Sequence, residues 1–349
     1  MRGKIMDGAR RQHEPEQNTS ATLRDLINGY QLSQALHVAA VLGIADHLAG
    51  GARTCDDLAA ASAADPGALY RLLRALAAAG IFREEPERRF ALAPLGEGLR
   101  SDAARPLGPW AVQIGQPYFW QTWGHLLHSV RSGENAFRDL HGMDVWEYRS
   151  QHPEAGAVFD ASMSSLSRQV AEGVARAYDF GPRRRVVDVG GGQGALLAAI
   201  LTRHPHLRGV LFDRPAVVAG APALLAAAGI AARCEVVGGD FFGAVPEGAD
   251  AYVLKSVIHD WADEPATAIL RSCRRATAPE GRLLLVERVL APPNEGAPAK
   301  LSDLNMLVAP GGQERTREEY GALLAGAGFR LTSVVPAGGD TQIVEGVPV

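Results

Sequence analysis

Apolar positions recur at two different spacings along this chain, and the change between them divides it. From Thr22 the spacing is helical: Leu23, Leu26, Ile27 and Tyr30 form one stripe, which Ala35, Val38, Ala39 and Leu42 continue. Thr54 with Asp57 resembles a capping box opening a short helix, and Asp65-Pro66 supplies an N-cap and a first-turn proline for the next. That second helix carries Leu69, Leu72, Leu73 and Leu76 on one face and stops at Gly80. Ile81-Phe82-Arg83 and Arg89-Phe90-Ala91-Leu92 then flank a charged turn, as a β-hairpin does. Helix, helix, hairpin predicts a winged helix-turn-helix. Residues 107–180 read as helical and rich in aromatics, among them Trp110, Trp120, Trp123 and Trp146, which pack a core or line a pocket for a flat ligand.

From Arg185 the period shortens and alternates. Strands are expected near 185–190, 208–213, 233–238, 250–256, 282–288, 329–335 and 341–347, with helices near 194–204, 215–228, 263–277 and 316–327. This alternation predicts an α/β fold with a Rossmann-like, doubly wound parallel sheet, closed by an antiparallel edge pair from the last two strands. The expected organisation is a disordered leader over 1–18, a helical winged-helix dimerisation domain over 19–105, a helical connector over 106–180 that contributes to a ligand pocket, and a catalytic domain over 181–349.

Composition narrows the function. A chain of 349 residues with 47% apolar residues can bury more than one core. The net charge of −4 argues against a primary nucleic-acid role. The presumed recognition helix offers only Arg71 and Arg74, so the winged helix reads as a dimerisation module rather than a DNA reader. Cys55, Cys234 and Cys273 match no metal-ligand or redox spacing, so reduced thiols and no metal are expected. The first eighteen residues are polar and form no signal peptide. The longest apolar region, around Val38 to Leu48, is interrupted by Asp46 and His47 and reads as a core helix rather than a membrane span. A cytoplasmic protein is expected.

The chemistry gathers where strands end. Val186-Val187-Asp188-Val189 breaks into Gly190-Gly191-Gly192-Gln193-Gly194 before an apolar helix, which brings bare backbone against a ligand. Gly190, Gly192 and Ala195 also fit the G-x-G-x-x-A form of a dinucleotide loop. Asp188 argues the other way: a carboxylate repels a pyrophosphate but welcomes a sulfonium, an amino group or ribose hydroxyls, which leans toward S-adenosylmethionine over NAD. Asp213 ends the second strand where either cofactor needs a ribose-binding acid. Asp240, with Phe241 and Phe242, follows the third and suits an adenine amino group and ring. Lys255, Ser256, His259, Asp260 and Trp261 follow the fourth strand, and Glu287 ends the fifth. Neighbouring fourth and fifth strands put His259 and Glu287 on one rim, an imidazole–carboxylate pair able to take a proton from a hydroxyl. Plainer roles exist for each: a cap for Asp260, a snorkelling tip for Lys255, an arginine partner for Glu287.

At these residues the chain resembles the S-adenosylmethionine-dependent O-methyltransferases of the plant caffeate type, in their bacterial natural-product branch, from about residue 22 to the end. The resemblance rests on Val187–Gly194, Gly239–Phe242, Leu254–Trp261 and Gly311–Thr316. It implies that Gly190, Asp213, Asp240, Phe241 and Lys255 hold the cofactor, with Ser167 and Trp261 secondary; Asp188, Gly192 and Ser256 complete the candidate set from the strand ends. His259 matches the family's catalytic base, and Glu287 and Glu314 match its flanking acids. Met163 matches a methionine pressing on the acceptor ring, and Asp303, Asn305 and Met306 fall where the family contacts its acceptor. The stretch from Glu287 to Glu314 is shorter than in the plant enzymes. The expectation is a homodimer that methylates a phenolic or quinone-enol hydroxyl of a small natural product in antibiotic biosynthesis. A cofactor-binding relative performing hydroxylation or decarboxylation stands beside it, and an NAD-dependent oxidoreductase or a cofactor-sensing DNA regulator further off.

Overall fold

In a computed structural model that describes residues 22–349, the chain divides into two compact units, one ending at Gly115 and one spanning Gln116–Val349. The expected leader over 1–18 lies outside the described residues. The first unit contains α1 (Gly29–Val41), α2 (Ile44–His47), β1 (Arg53–Thr54), α3 (Cys55–Ser62), α4 (Pro66–Ala78), β2 (Phe82–Glu85), β3 (Arg89–Leu92) and α5 (Gly108–Ile114). Its helix starts follow the cap chemistry: the Thr54 hydroxyl accepts from the Asp57 N–H at 3.1 Å, and the Asp65 carboxylate from the Ala68 N–H at 2.7 Å. Leu58, Leu73, Leu76 and Phe90 are fully buried in its core. Leu23, Leu26, Ile27 and Tyr30, by contrast, are all more than half exposed on the single chain.

The second unit opens with α6 (Pro117–Gly124), α7 (Leu126–Ser132), α8 (Ala136–His141), α9 (Val145–Gln151) and the long α10 (Pro153–Ala177). There follow β4 (Arg185–Val189), α11 (Ala195–Arg203), β5 (Arg208–Asp213), α12 (Pro215–Val218), α13 (Ala221–Ala227), β6 (Cys234–Gly238), β7 (Ala251–Lys255), α14 (Asp263–Ala276), β8 (Arg282–Arg288), α15 (Ala297–Val308), α16 (Arg317–Gly326), β9 (Phe329–Gly338) and β10 (Thr341–Pro348). The sheet order is β6-β5-β4-β7-β8-β10-β9, parallel through β8, with β10 antiparallel to both its neighbours. Alternate strand residues serve two cores. Val186, Leu211, Val253 and Leu284 pack with α10 to α13, while Val187, Val210, Tyr252 and Leu285 pack with α14 and α16. Both faces are covered, which is why these strands read as unbroken apolar runs. The order reverses between β4 and β7, so the loops after those strands open on the crevice where such sheets bind ligands.

Two helices differ from expectation. The region 215–228 holds two helices rather than one, because Pro222 sits in the first turn of α13 and cannot donate the hydrogen bond that a continuous helix requires. Helix α15 is absent from the sequence reading. Pro292, Pro293 and Pro298 precede or open it, and its Leu301 is exposed, so no apolar stripe marks it.

Helix α10 crosses β9 at Gly173, where an added Cβ would lie 2.0 Å from the Ala337 carbonyl oxygen. In an exposed helix a Gly-to-Ala change gains about 1 kcal/mol. Here overpacking against backbone costs about 1–3 kcal/mol and outweighs it. Gly173→Ala is therefore expected to lower the urea midpoint; an unchanged or raised midpoint would show that the helix can shift freely off the strand.

Candidate active site

The glycine loop after β4 is held by its neighbours' backbone. Gly190 and Gly191 donate to the Phe212 carbonyl at 2.8 and 3.2 Å, and Gly192 donates to the Asp213 carboxylate at 2.8 Å. Gly190 has φ of +69°, and a Cβ there would stand 2.7 Å from Val257 Cγ2, so this turn needs glycine for two reasons. Asp188 lies behind the loop at 1% exposure, with both carboxylate oxygens buried and unpartnered. Burial pushes its pKa up to about 7, against the pull of Lys255 and with help from Asp213. Asp213 is also raised, by burial first, although it accepts from Gly192 and Arg214.

Asp240 is exposed after β6 and caps its own turn through the Phe242 N–H at 2.9 Å. Phe241, Phe242 and Trp261 meet edge-on, with Phe242 and Trp261 centroids 4.8 Å apart, and Trp261 stacks at 6.2 Å on Trp146 of α9. Lys255 does not snorkel outward: its Nζ donates to Ser256 Oγ at 3.1 Å, and burial lowers its pKa. Ser256 carries a left-handed backbone, φ +54°, which residues with a side chain adopt rarely. It turns the chain so that Val257 and Ile258 both donate to Glu287 Oε1, at 3.0 and 2.9 Å.

His259 follows in a single tight turn, Ile258–Asp260, and is buried. Its Nδ1 lies 3.1 Å from Glu287 Oε2 and 3.2 Å from Glu314 Oε1, an ion contact shared between the two. Burial lowers the ring's pKa, but Glu287, Glu314 and Asp260 together carry it well above its ordinary value. Glu287 is lowered in turn: burial opposes its charge, and His259 with the two backbone donors outweighs burial. Asp260 is not a cap for the next helix, which starts at Asp263 after Ala262. It stays in the His259 turn, with its Oδ1 3.6 Å from His259 Nε2, and burial pushes its pKa up to about 6.

Glu314 is anchored by Ser302, whose hydroxyl donates at 2.7 Å, and its own N–H donates to Asp303 at 2.9 Å. Asp303, raised by burial, is thus tied to the Glu314 loop. Asn305 accepts from the Trp123 indole at 3.1 Å, and Met306 is buried on the same helix. Met163 and Ser167 lie on α10, half-buried, one turn apart. The structure therefore gathers His259, Glu287, Glu314 and Asp260 into one cluster and ties Asp303 to its edge. Asp188, Gly190, Gly192 and Asp213 form a second group at the β4 loop.

Sequence reasoning missed two buried arginines and one glycine. Arg315, 1% exposed, donates to the carbonyls of Ile258, Trp261 and Gln313 and to the Asp263 carboxylate, clamping the His259 turn. Gly312 lies against the same turn, where a Cβ would be 2.0 Å from the His259 carbonyl oxygen. Both fall within Gly311–Thr316, a run that signalled only Glu314. Arg149 of α9 is buried with its guanidinium 3.5 Å over the Phe159 ring, and burial lowers its pKa against Tyr118, Asp260 and Asp160. Among the described residues, two side-chain groups have metal-ligand spacing: His259 with Glu287 and Glu314, and His125 with His128 and Asp139.

The chain is similar to known proteins along nearly its whole length. A family model described as an O-methyltransferase domain matches residues 123–330, and one described as an O-methyltransferase dimerisation domain matches residues 24–102. The chain is 42% identical to a phenazine O-methyltransferase of Lysobacter antibioticus, over 95% of this chain and 96% of that one. It is similar to the solved structure of mitomycin 7-O-methyltransferase, with a TM-score of 0.88 and 38% identity, over 96% of this chain and 99% of that one. A third relative, an O-methyltransferase from neocarzinostatin biosynthesis solved with S-adenosylmethionine and 2-hydroxy-5-methyl naphthoic acid, matches with a TM-score of 0.76 and 36% identity, over 91% of this chain and 96% of that one.

The clamp is testable by stability. Arg315→Met strands the Trp261 and Gln313 carbonyls and leaves Ile258 only its 3.3 Å bond from the Trp261 N–H, and at about 1–3 kcal/mol for each group left unsatisfied the loss should exceed about 2 kcal/mol. Asp263→Ala removes the mostly exposed end of the same ion pair but leaves the carbonyls their donors, so it should cost less than Arg315→Met. Equal urea midpoints for the two variants would refute the clamp.

Proposed function

The chain belongs to the O-methyltransferase family, and from that premise we propose that it transfers a methyl group from S-adenosylmethionine to a phenolic or quinone-enol hydroxyl on a fused, planar small molecule of natural-product biosynthesis. The observation that carries the reading is the buried imidazole of His259, in the turn after β7, set between Glu287 at the end of the adjacent β8 and Glu314 in the loop before α16.

The residues present fit the cofactor. Two orphaned carboxylate oxygens on Asp188 suit donors or a cation, the bare backbone at Gly190 and Gly192 admits a close ligand, and Phe241 and Trp261 offer ring faces beside Asp240. S-adenosylmethionine supplies an electrophilic methyl group on a sulfonium, so the protein has only to provide a positioned nucleophile. With Nδ1 facing the two glutamates, His259 Nε2, which has Asp260 Oδ1 beside it at 3.6 Å but beyond hydrogen-bond reach, is the nitrogen left for the acceptor hydroxyl. The hydroxyl proton passes to Nε2, and Glu287 and Glu314 stabilise the resulting imidazolium. For an acidic quinone enol the same cation instead holds and orients an oxygen that is already ionised. Trp146, Phe159 and Trp261 support a flat acceptor, with Met163 and Asp303, Asn305 and Met306 as the candidate contacts. The names of the relatives support fused-ring acceptors as a class. The stripe Leu23, Leu26, Ile27 and Tyr30 supports pairing of two chains through the N-terminal unit. Among the described residues no helix is long and apolar enough to cross a membrane.

His259→Gln should lower kcat for a phenolic acceptor about a hundredfold or more while leaving S-adenosylhomocysteine affinity unchanged; near-normal turnover would sink the base assignment. The raised histidine pKa sets the sign of the pH profile. The ring must be neutral to accept a proton, so kcat/KM should climb with pH past 6.5 and level only above the ordinary histidine range.

The cofactor site is tested by calorimetric titration with S-adenosylhomocysteine beside NADH. Asp188 is half-ionised near pH 7, so affinity for the former should rise by about tenfold from pH 6 to pH 8 as the carboxylate ionises. Asp188→Asn should bind more weakly and flatten that rise. Binding of NADH alone would overturn the cofactor assignment.

A further inference from the structure

Away from the active site, α6, α7 and α8 bring together a second set of ligating side chains that no part of the methyl-transfer reading uses. His125 sits at the junction of α6 and α7, and His128 follows one turn later, so their rings stack with centroids 4.9 Å apart and planes within 11°. Gly133, with φ of +76°, reverses the chain, and Asn135 caps α8 by accepting from the Arg138 N–H at 2.9 Å. That cap places Asp139 opposite both rings: Oδ2 lies 2.8 Å from His125 Nε2, and Oδ1 lies 3.9 Å from His128 Nε2. Glu134 Oε2 stands 3.4 Å from His128 Nε2. His128 Nε2 is buried and makes no hydrogen bond, which leaves a lone pair or a proton aimed at two carboxylates without a satisfied partner.

We propose that His125, His128 and Asp139 form a three-ligand binding site for a divalent metal ion of the zinc type, with water in the fourth position and Glu134 beside His128. In a tetrahedral site with bonds near 2.0–2.2 Å, ligand atoms stand roughly 3.4 Å apart. Asp139 meets the two rings through different oxygens, Oδ2 hydrogen-bonded to His125 at 2.8 Å and Oδ1 3.9 Å from His128, and the ligand atoms of the three residues all lie within 4.8 Å of one another, so a small shift that replaces the hydrogen bond would seat the ion. Two imidazoles and one carboxylate, with a position open to water, are a donor set that suits zinc. The sequence expectation of no metal rested on cysteine spacing, and this set contains no cysteine.

Its position gives the ion a structural task. Trp123, two residues before His125, donates to Asn305, and Asn135 donates to the carbonyls of Leu307 and Ala309 at 2.8 and 3.2 Å. A metal clip across α6, α7 and α8 would therefore brace α15, the helix that carries Asp303, Asn305 and Met306.

The test uses the full-length protein, stripped with a chelator and titrated with Co²⁺ or with Zn²⁺ alone. The proposal expects one ion per chain, visible absorption bands of four-coordinate cobalt, and a melting temperature that rises with added Zn²⁺. All three should vanish in His125→Gln/His128→Gln, and Asp139→Asn should weaken Zn²⁺ binding by about tenfold or more. Failure of the stripped protein to bind either ion would overturn the site. So would cobalt bands that persist in the double variant, since the ion would then sit elsewhere, for example at His259. A melting temperature lowered equally in that variant with and without Zn²⁺ would also overturn it, leaving ordinary ion pairs.

Discussion

One carboxylate joins the scaffold to its chemistry. Glu287 leaves the end of β8 fully buried and divides its two oxygens between two tasks: Oε1 takes the backbone N–H groups of Val257 and Ile258, and Oε2 faces His259. The first task fixes the loop after β7, and the second fixes the ring that the loop presents. A buried anion without partners would protonate or unfold its surroundings, but this one is lowered in pKa because its cation and its donors sit in place. The arrangement holds only while β7 and β8 keep their parallel register, Lys255 against Val286. Sheet, loop and imidazole are thus a single construction.

The second anchor comes from far along the chain. Arg315 ties the carbonyls of the His259 turn from the opposite side, and Gly312 lets that segment approach the turn closely. The cost is several charges kept out of water, including the shared contact of His259 with Glu287 and Glu314 and the orphaned oxygens of Asp188. Such groups do little for stability.

Much of this was legible beforehand, for physical reasons that differ by residue. The strands declared themselves because both faces of the sheet are covered, and the helix starts at Thr54 and Asp65 because their caps are local. His259 and Glu287 could be paired because adjacency of strand ends follows from topology. Arg315 and Gly312 could not be weighed, since their importance lies in contacts with residues some fifty positions earlier. Helix α15 escaped because tertiary packing, not an apolar stripe, holds it: Ala299, Met306 and Val308 are buried while Leu301 faces out. Asp260 misled for the opposite reason, since an acid ahead of a helix usually caps it, and here the turn ends first and keeps the side chain beside the imidazole.

The exposed stripe of Leu23, Leu26, Ile27 and Tyr30 has a thermodynamic consequence of its own. A chain that covers such a face by pairing with a copy of itself stores part of its folding free energy in an encounter between molecules. Its apparent stability then follows mass action, growing with the logarithm of its own concentration. Dilution alone would act as a mild denaturant, felt first at the paired helices while the unit that holds the sheet and His259 stays folded.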